Sequence, residues 1–124
     1  MKYIETAKSV KPIGPYSQGI ASNGLVFVSG QIAIDPATNS MVQGGIKEQT
    51  KRVLENLKAI REAGGSGLDK VLKVTVFIKE TSYFKDMNEV YAAAFGNHKP
   101  ARSTVVCGFA RDDILVEIEA VGAQ

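Results

Sequence analysis

Two apolar stripes at helical spacing must serve a chain that otherwise reads as strands. That ratio limits the architecture more than any other feature. The longer stripe runs from Ile46 to Ala63: Ile46, Val53, Leu54, Leu57 and Ile60 recur on one side, and charged residues cover the rest. Glu48 and Arg52 stand four apart in the order that supports a helix. Gly64-Gly65 supplies a left-handed stop. The second helix is predicted from about Asp86 to Phe95. Phe84, Met87, Tyr91 and Phe95 form its buried stripe, Asp86 and Glu89 resemble a capping box, and Gly96 ends it. Two such helices cover one face of a sheet of about five or six strands, which is an α+β layer. The other sheet face must meet water or another subunit, and its apolar residues, Leu115 and Val121 among them, favour a subunit.

The strands follow from alternation and turn signals. Lys2 to Glu5 reads as a short strand, and Lys11-Pro12-Ile13-Gly14-Pro15 as a stiff connector. Asn23-Gly24 between Ser17–Ala21 and Leu25–Ser29 predicts a hairpin. Leu25–Ser29 is apolar on both faces, hence central. Asp35 to Asn39 is a loop by composition. Val71–Lys79 alternates, with Leu72, Val74, Val76 and Ile78 on one face. The whole chain, 1–124, is one domain.

Lys99 to Ala120 reads as two strands joined by a polar turn at Arg111-Asp112-Asp113. Pro100 ends what precedes it. Arg102, Thr104, Val106 and Gly108 share one face; Ser103, Val105, Cys107 and Phe109 share the other. After the turn, Ile114, Val116, Ile118 and Ala120 form an apolar face, opposite Leu115, Glu117, Glu119 and Val121. Carboxylates in a strand otherwise built of Ile, Leu and Val are solvent-exposed, paired or functional. In such a hairpin Arg102 lies opposite roughly residue 120, near Glu117 but offset from it. Whether the two meet within one subunit or across two is open.

Pro100-Ala101-Arg102-Ser103, Gly108-Phe109-Ala110 and Val116-Glu117-Ile118 resemble the signature of the RidA/YjgF family of imine/enamine deaminases. Gly14-Pro15-Tyr16-Ser17-Gln18, Ser29-Gly30-Gln31, Thr75-Val76-Phe77 and Met87-Asn88-Glu89-Val90-Tyr91 are similar to further family motifs, so the likeness spans nearly the whole chain. The resemblance implies a chorismate-mutase-like fold and a homotrimer with sites between subunits. It implies hydrolysis of small 2-imino or 2-enamino acids, such as 2-aminoacrylate and 2-iminobutanoate, to 2-keto acids and ammonia, with no metal or cofactor.

The same resemblance gives the residues roles. Arg102 grips the substrate carboxylate through its planar fork, against the alternative of a surface arginine. Glu117 activates water, and a partly apolar cleft would raise its pKa. Tyr16 assists proton transfer, its alternative being a loop anchor. Ser29 and Gly30 bring backbone close to the ligand, or simply end a strand. Asn88 supports the site or caps a helix. Many family members carry a cysteine where Thr104 stands; Thr104 keeps the backbone groups of that position. Cys107 faces away and reads as a buried small hydrophobe. His98 reads as solvated, and Glu119 as an ordinary strand carboxylate.

Composition narrows the alternatives. Fifteen basic and 13 acidic side chains leave a formal charge of +2, too balanced for a nucleic-acid surface. One histidine and one cysteine exclude a His-rich metal site and an intrachain disulfide. No apolar run approaches a membrane span, and Met1 to Glu5 lacks a signal-peptide core, so a cytoplasmic protein is the default expectation. Two other readings stand beside the enzyme. One is a non-catalytic trimer that binds small carboxylates or regulates a partner. The other is an RNA-acting protein, which the charge balance disfavours.

Overall fold

Helix α1 spans Ile46–Ala63 and buries the predicted stripe against a sheet in the computed structural model, which describes residues 1–124. The Glu48 carboxylate turns back to accept the Gly45 N–H at 2.8 Å, so Arg52 pairs with Glu55 instead, at 3.0 Å. At the far end Gly65, at φ +83°, takes the left-handed conformation, and the Ser66 N–H returns to the Arg61 carbonyl.

Helix α2 spans Phe84–Phe95, two residues earlier than the sequence suggests, after a 3₁₀ turn at Thr81–Tyr83. Asp86 therefore lies inside the first turn and no capping box forms. Glu89 pairs with Lys47 of α1 at 3.1 Å. Met87, Tyr91 and Phe95 are buried as expected, but Phe84 stays 44% exposed at the helix end.

The strands are β1 (Lys2–Ile4), β2 (Gly19–Ser22), β3 (Leu25–Gln31), β4 (Ile34–Asp35), β5 (Ser40–Met41), β6 (Val71–Ile78), β7 (Ala101–Val106) and β8 (Val116–Ala123). Strands β4 and β5 form a separate small ladder around the expected loop. The other six make one mixed sheet in the order β1-β2-β3-β8-β6-β7. The β2–β3 hairpin turns on Asn23 (φ 52°) and Gly24 (φ 77°), with Ser22 opposite Leu25.

The last two strands are not a hairpin. Strand β7 pairs parallel with β6, across the α2 crossover, and β8 pairs antiparallel with both β6 and β3. A helix between two strands returns the chain parallel to where it left. Strand β8, whose Val116 and Ile118 are fully buried, gains two hydrogen-bonding neighbours in the middle of the sheet. A bulge between Val71 and Lys73 throws Leu72 out of the apolar face, so it is 53% exposed.

Both helices cover one face. Val26, Leu57, Val74, Val76, Met87 and Ile118 are fully buried there, each contributing roughly 1.5–3 kcal/mol. The core also encloses a charge. Arg61 of α1 is fully buried and donates to the carbonyls of Val26 (3.3 Å), Gly67 (3.1 Å) and Ala123 (2.9 Å) and to Ser66 Oγ (2.8 Å). The other sheet face is uncovered, with Phe27 and Val105 each 42% exposed. Leu115 is not part of it. It precedes β8, packs against the core, and its N–H donates to Gln49 Oε1 at 3.0 Å.

Candidate functional site

Strand β3 is irregular between Val28 and Gln31. Ser29 and Gly30 sit in that irregularity, beside β8. Ser29 Oγ donates to the Ser17 carbonyl at 2.6 Å, which fixes the break in place. Glu117, opposite Phe77 of β6, lays its carboxylate across Gly30. A Cβ on Gly30 would stand 3.0 Å from Glu117 Cδ and would overlap Oε2. Only glycine leaves room for this carboxylate.

Glu117 is half-buried. Burial, and secondarily the neighbouring Glu119, pushes its carboxyl above the ordinary glutamate range. Glu119 itself is exposed.

Tyr16 lies on the segment that follows β1. Its hydroxyl accepts the Ile13 N–H at 3.4 Å, and its N–H donates to the Gly14 carbonyl. This strap is anchored by two buried glutamines. Gln18 bonds Thr6 in both directions and donates to the Val10 carbonyl at 2.8 Å. Gln31 accepts from Ser9 Oγ at 3.1 Å. Tyr16, Ser29, Gly30 and Glu117 thus line one cleft of about 440 Å³, together with Arg111. Gln18, Gln31 and Arg111 carry no predicted role. The two glutamines end the stretches Gly14-Pro15-Tyr16-Ser17-Gln18 and Ser29-Gly30-Gln31, and their burial is the signal that only the fold supplies.

Arg102 stands elsewhere. It pairs with Val74 and so points to the helix face, whereas Glu117 pairs with Phe77 and points to the open face. The expected adjacency of the two within a hairpin does not exist, because β6 separates their strands. Arg102 stacks its guanidinium 4.7 Å from the Tyr91 ring and 5.8 Å from Phe84. It has no carboxylate partner. Burial raises the Tyr91 phenol and Arg102 partly offsets this; the buried hydroxyl has no hydrogen-bond partner. A cleft of about 160 Å³ opens beside Arg102, Lys99 and His98.

Thr104, half-buried, lies two residues along β7 on the Arg102 side. Asn88, also half-buried, shares the α2 face of Phe84 and Tyr91 and caps no helix. His98 is not solvated: Nε2 lies 2.6 Å from the Val71 carbonyl. Cys107 is half-buried rather than buried, because β7 is an edge strand that ends just before it.

The seven predicted residues therefore fall into two groups. Tyr16, Ser29, Gly30 and Glu117 line one cleft, whereas Arg102 and Thr104 share the helix face of β7 and Asn88 lies on the α2 face of the two rings that Arg102 meets. One group offers a half-buried carboxylate over bare backbone. The other offers an unpaired guanidinium.

The family model described as Endoribonuclease L-PSP matches residues 6–124. A RutC family protein of Pyrococcus abyssi is 53% identical over 118 residues, 95% of this chain and 93% of its own. The chain belongs to the RidA/YjgF family. Solved members of this RidA/YjgF family include the YjgF gene product of Escherichia coli. The Thermotoga maritima protein TM0215 superposes with a TM-score of 0.96 at 52% identity, covering 100% of this chain and 98% of that one. Escherichia coli TdcF, solved with bound serine, superposes at 0.94 with 38% identity, over 100% and 99% of the two chains. The mixed sheet with two helices on one face is the RidA/YjgF fold. No helix is long and apolar enough to cross a membrane.

Proposed function

We propose that this chain hydrolyses small 2-imino and 2-enamino acids to 2-keto acids and ammonia, in a homotrimer whose sites each draw on two copies. The observation that carries this reading is the division of charge. An unpaired guanidinium sits at a sheet edge, and a desolvated carboxylate faces an open cleft on the opposite sheet face. Placing the β7 edge of one copy against the open face of another joins them.

Arg102 of one copy then holds the substrate carboxylate through two parallel N–H donors. Glu117 of the other accepts a proton from water as the oxygen adds to the imine carbon, and returns it to the nitrogen. The carbinolamine expels ammonia and leaves the keto acid, so the net change is imine plus water to ketone plus ammonia. The Tyr16 hydroxyl donates to the reacting nitrogen or to water, and the Gly30 backbone allows the close approach. Asn88 and Thr104 line the Arg102 side. Serine bound to TdcF supports a ligand of amino-acid size.

The test supplies imines from a serine/threonine dehydratase and follows ammonia and keto-acid release. We expect release faster than spontaneous decay. Unchanged decay with 2-ketobutyrate still binding favours the non-catalytic carboxylate binder. Cleavage of a labelled RNA in a parallel tube, with imine decay unchanged, favours the reading in the family description.

A further inference from the structure

The Glu117 cleft holds a guanidinium of its own that the proposed reaction does not use. Arg111 lines it on the loop between β7 and β8. Asp113 takes that guanidinium from the side: Nε donates to Oδ1 at 3.0 Å and Nη2 to Oδ2 at 2.7 Å. An arginine has five N–H donors in a planar fork. The side-on pair consumes two of them and leaves the end edge, Nη1 with the second Nη2 proton, free. That edge matches another carboxylate in plane. Asp113 holds the guanidinium in this orientation, although both side chains are half-exposed. Arg111 makes no ion pair with Glu117, so it stands at a different part of the cleft from the carboxylate over Gly30.

We propose that Arg111 is a specificity residue that selects substrates bearing a second, side-chain carboxylate, the imines of acidic amino acids. This rests on the site proposed above: Arg102 of a second copy takes the α-carboxylate, and Arg111 takes the distal one. Two guanidiniums on one dicarboxylate also fix which way the imine carbon faces Glu117.

A matched pair of ligands tests it without relying on turnover. 2-Oxoglutarate and 2-oxopentanoate share a five-carbon chain and differ in the terminal carboxylate. Calorimetric titration of the intact protein should give 2-oxoglutarate the tighter Kd by about tenfold or more. Arg111→Met should reduce that preference by about tenfold, and Arg111→Lys should restore only part of it. The same variants are then compared on 2-iminoglutarate and 2-iminopentanoate, generated by an amino-acid oxidase. The ratio of their kcat/KM values should fall in step. No preference in the parent, or a preference that survives Arg111→Met, overturns the proposal. An Arg111-dependent preference in binding without hydrolysis of either imine upholds the subsite and sinks the deaminase reading instead.

Discussion

Burial lifts the Glu117 carboxyl above the 4.5 of an ordinary glutamate. Between that value and the raised one, the folded chain binds more protons than the unfolded chain. The stability this group contributes is therefore present at low pH and is lost as pH rises through the window. Glu117→Gln should accordingly raise Tm at pH 8 relative to the parent more than it does at pH 4, read by thermal melts at both. The same variant should lower imine hydrolysis by roughly 10²–10⁴, the range for a lost general base. In the parent, kcat/KM should fall as pH drops through the raised value, with a midpoint above 4.5. Glu119→Gln, on an exposed side chain, should be nearly silent in both assays. Arg102→Ala should cost about ten- to a hundredfold in kcat/KM through loss of a charge-assisted pair, and Arg102→Lys should recover only part. Glu117 and Arg102 were legible through the resemblance to the family signature, not through residue type, since Glu119 stands in the same strand as Glu117 and carries no motif. Where each points was not, since that depends on which strand lies between them.

At the scale of elements, periodicity located α1 to the residue, because a long apolar stripe with a glycine stop leaves little freedom. It placed α2 two residues late, because a 3₁₀ turn runs into the helix without a capping side chain. It joined β7 to β8, because a polar turn between alternating segments looks the same whether it closes a hairpin or crosses a third strand. Leu72 was misassigned for a local reason: a bulge shifts side chains between faces without changing the sequence pattern. Two elements carry their own tests. Gly30→Ala sets a methyl against the Glu117 carboxylate, so hydrolysis should fall at least tenfold while the melt shifts little. Arg61→Ala takes a donor from the Val26 and Gly67 carbonyls at the end of α1, while Ser66 Oγ still donates to Ala123. That should destabilise by about 3 kcal/mol or more and lower Tm by roughly 10 °C, checked by calorimetry.

For the whole molecule, the open face with Phe27 and Val105 predicts assembly. Sedimentation should give three chains' mass at micromolar concentration, and a single-chain mass would sink the shared site. Complementation is the sharper measurement. Arg102→Ala and Glu117→Gln are each expected to be weak alone. Co-refolded one to one, they should recover up to about a quarter of the parent rate, because that share of randomly assembled clefts draws both intact side chains. No recovery would mean that each site lies within one chain. The position of β8 has a consequence of a different kind. Strands β1 to β3 and the β6–α2–β7 unit precede it in the chain, yet neither half of the sheet touches the other without it. During synthesis both halves must wait with an unpaired apolar edge each, the condition under which growing chains stick to one another. The strand that carries Glu117 is also the one that closes the sheet, so a chain cannot present that carboxylate before its fold is complete.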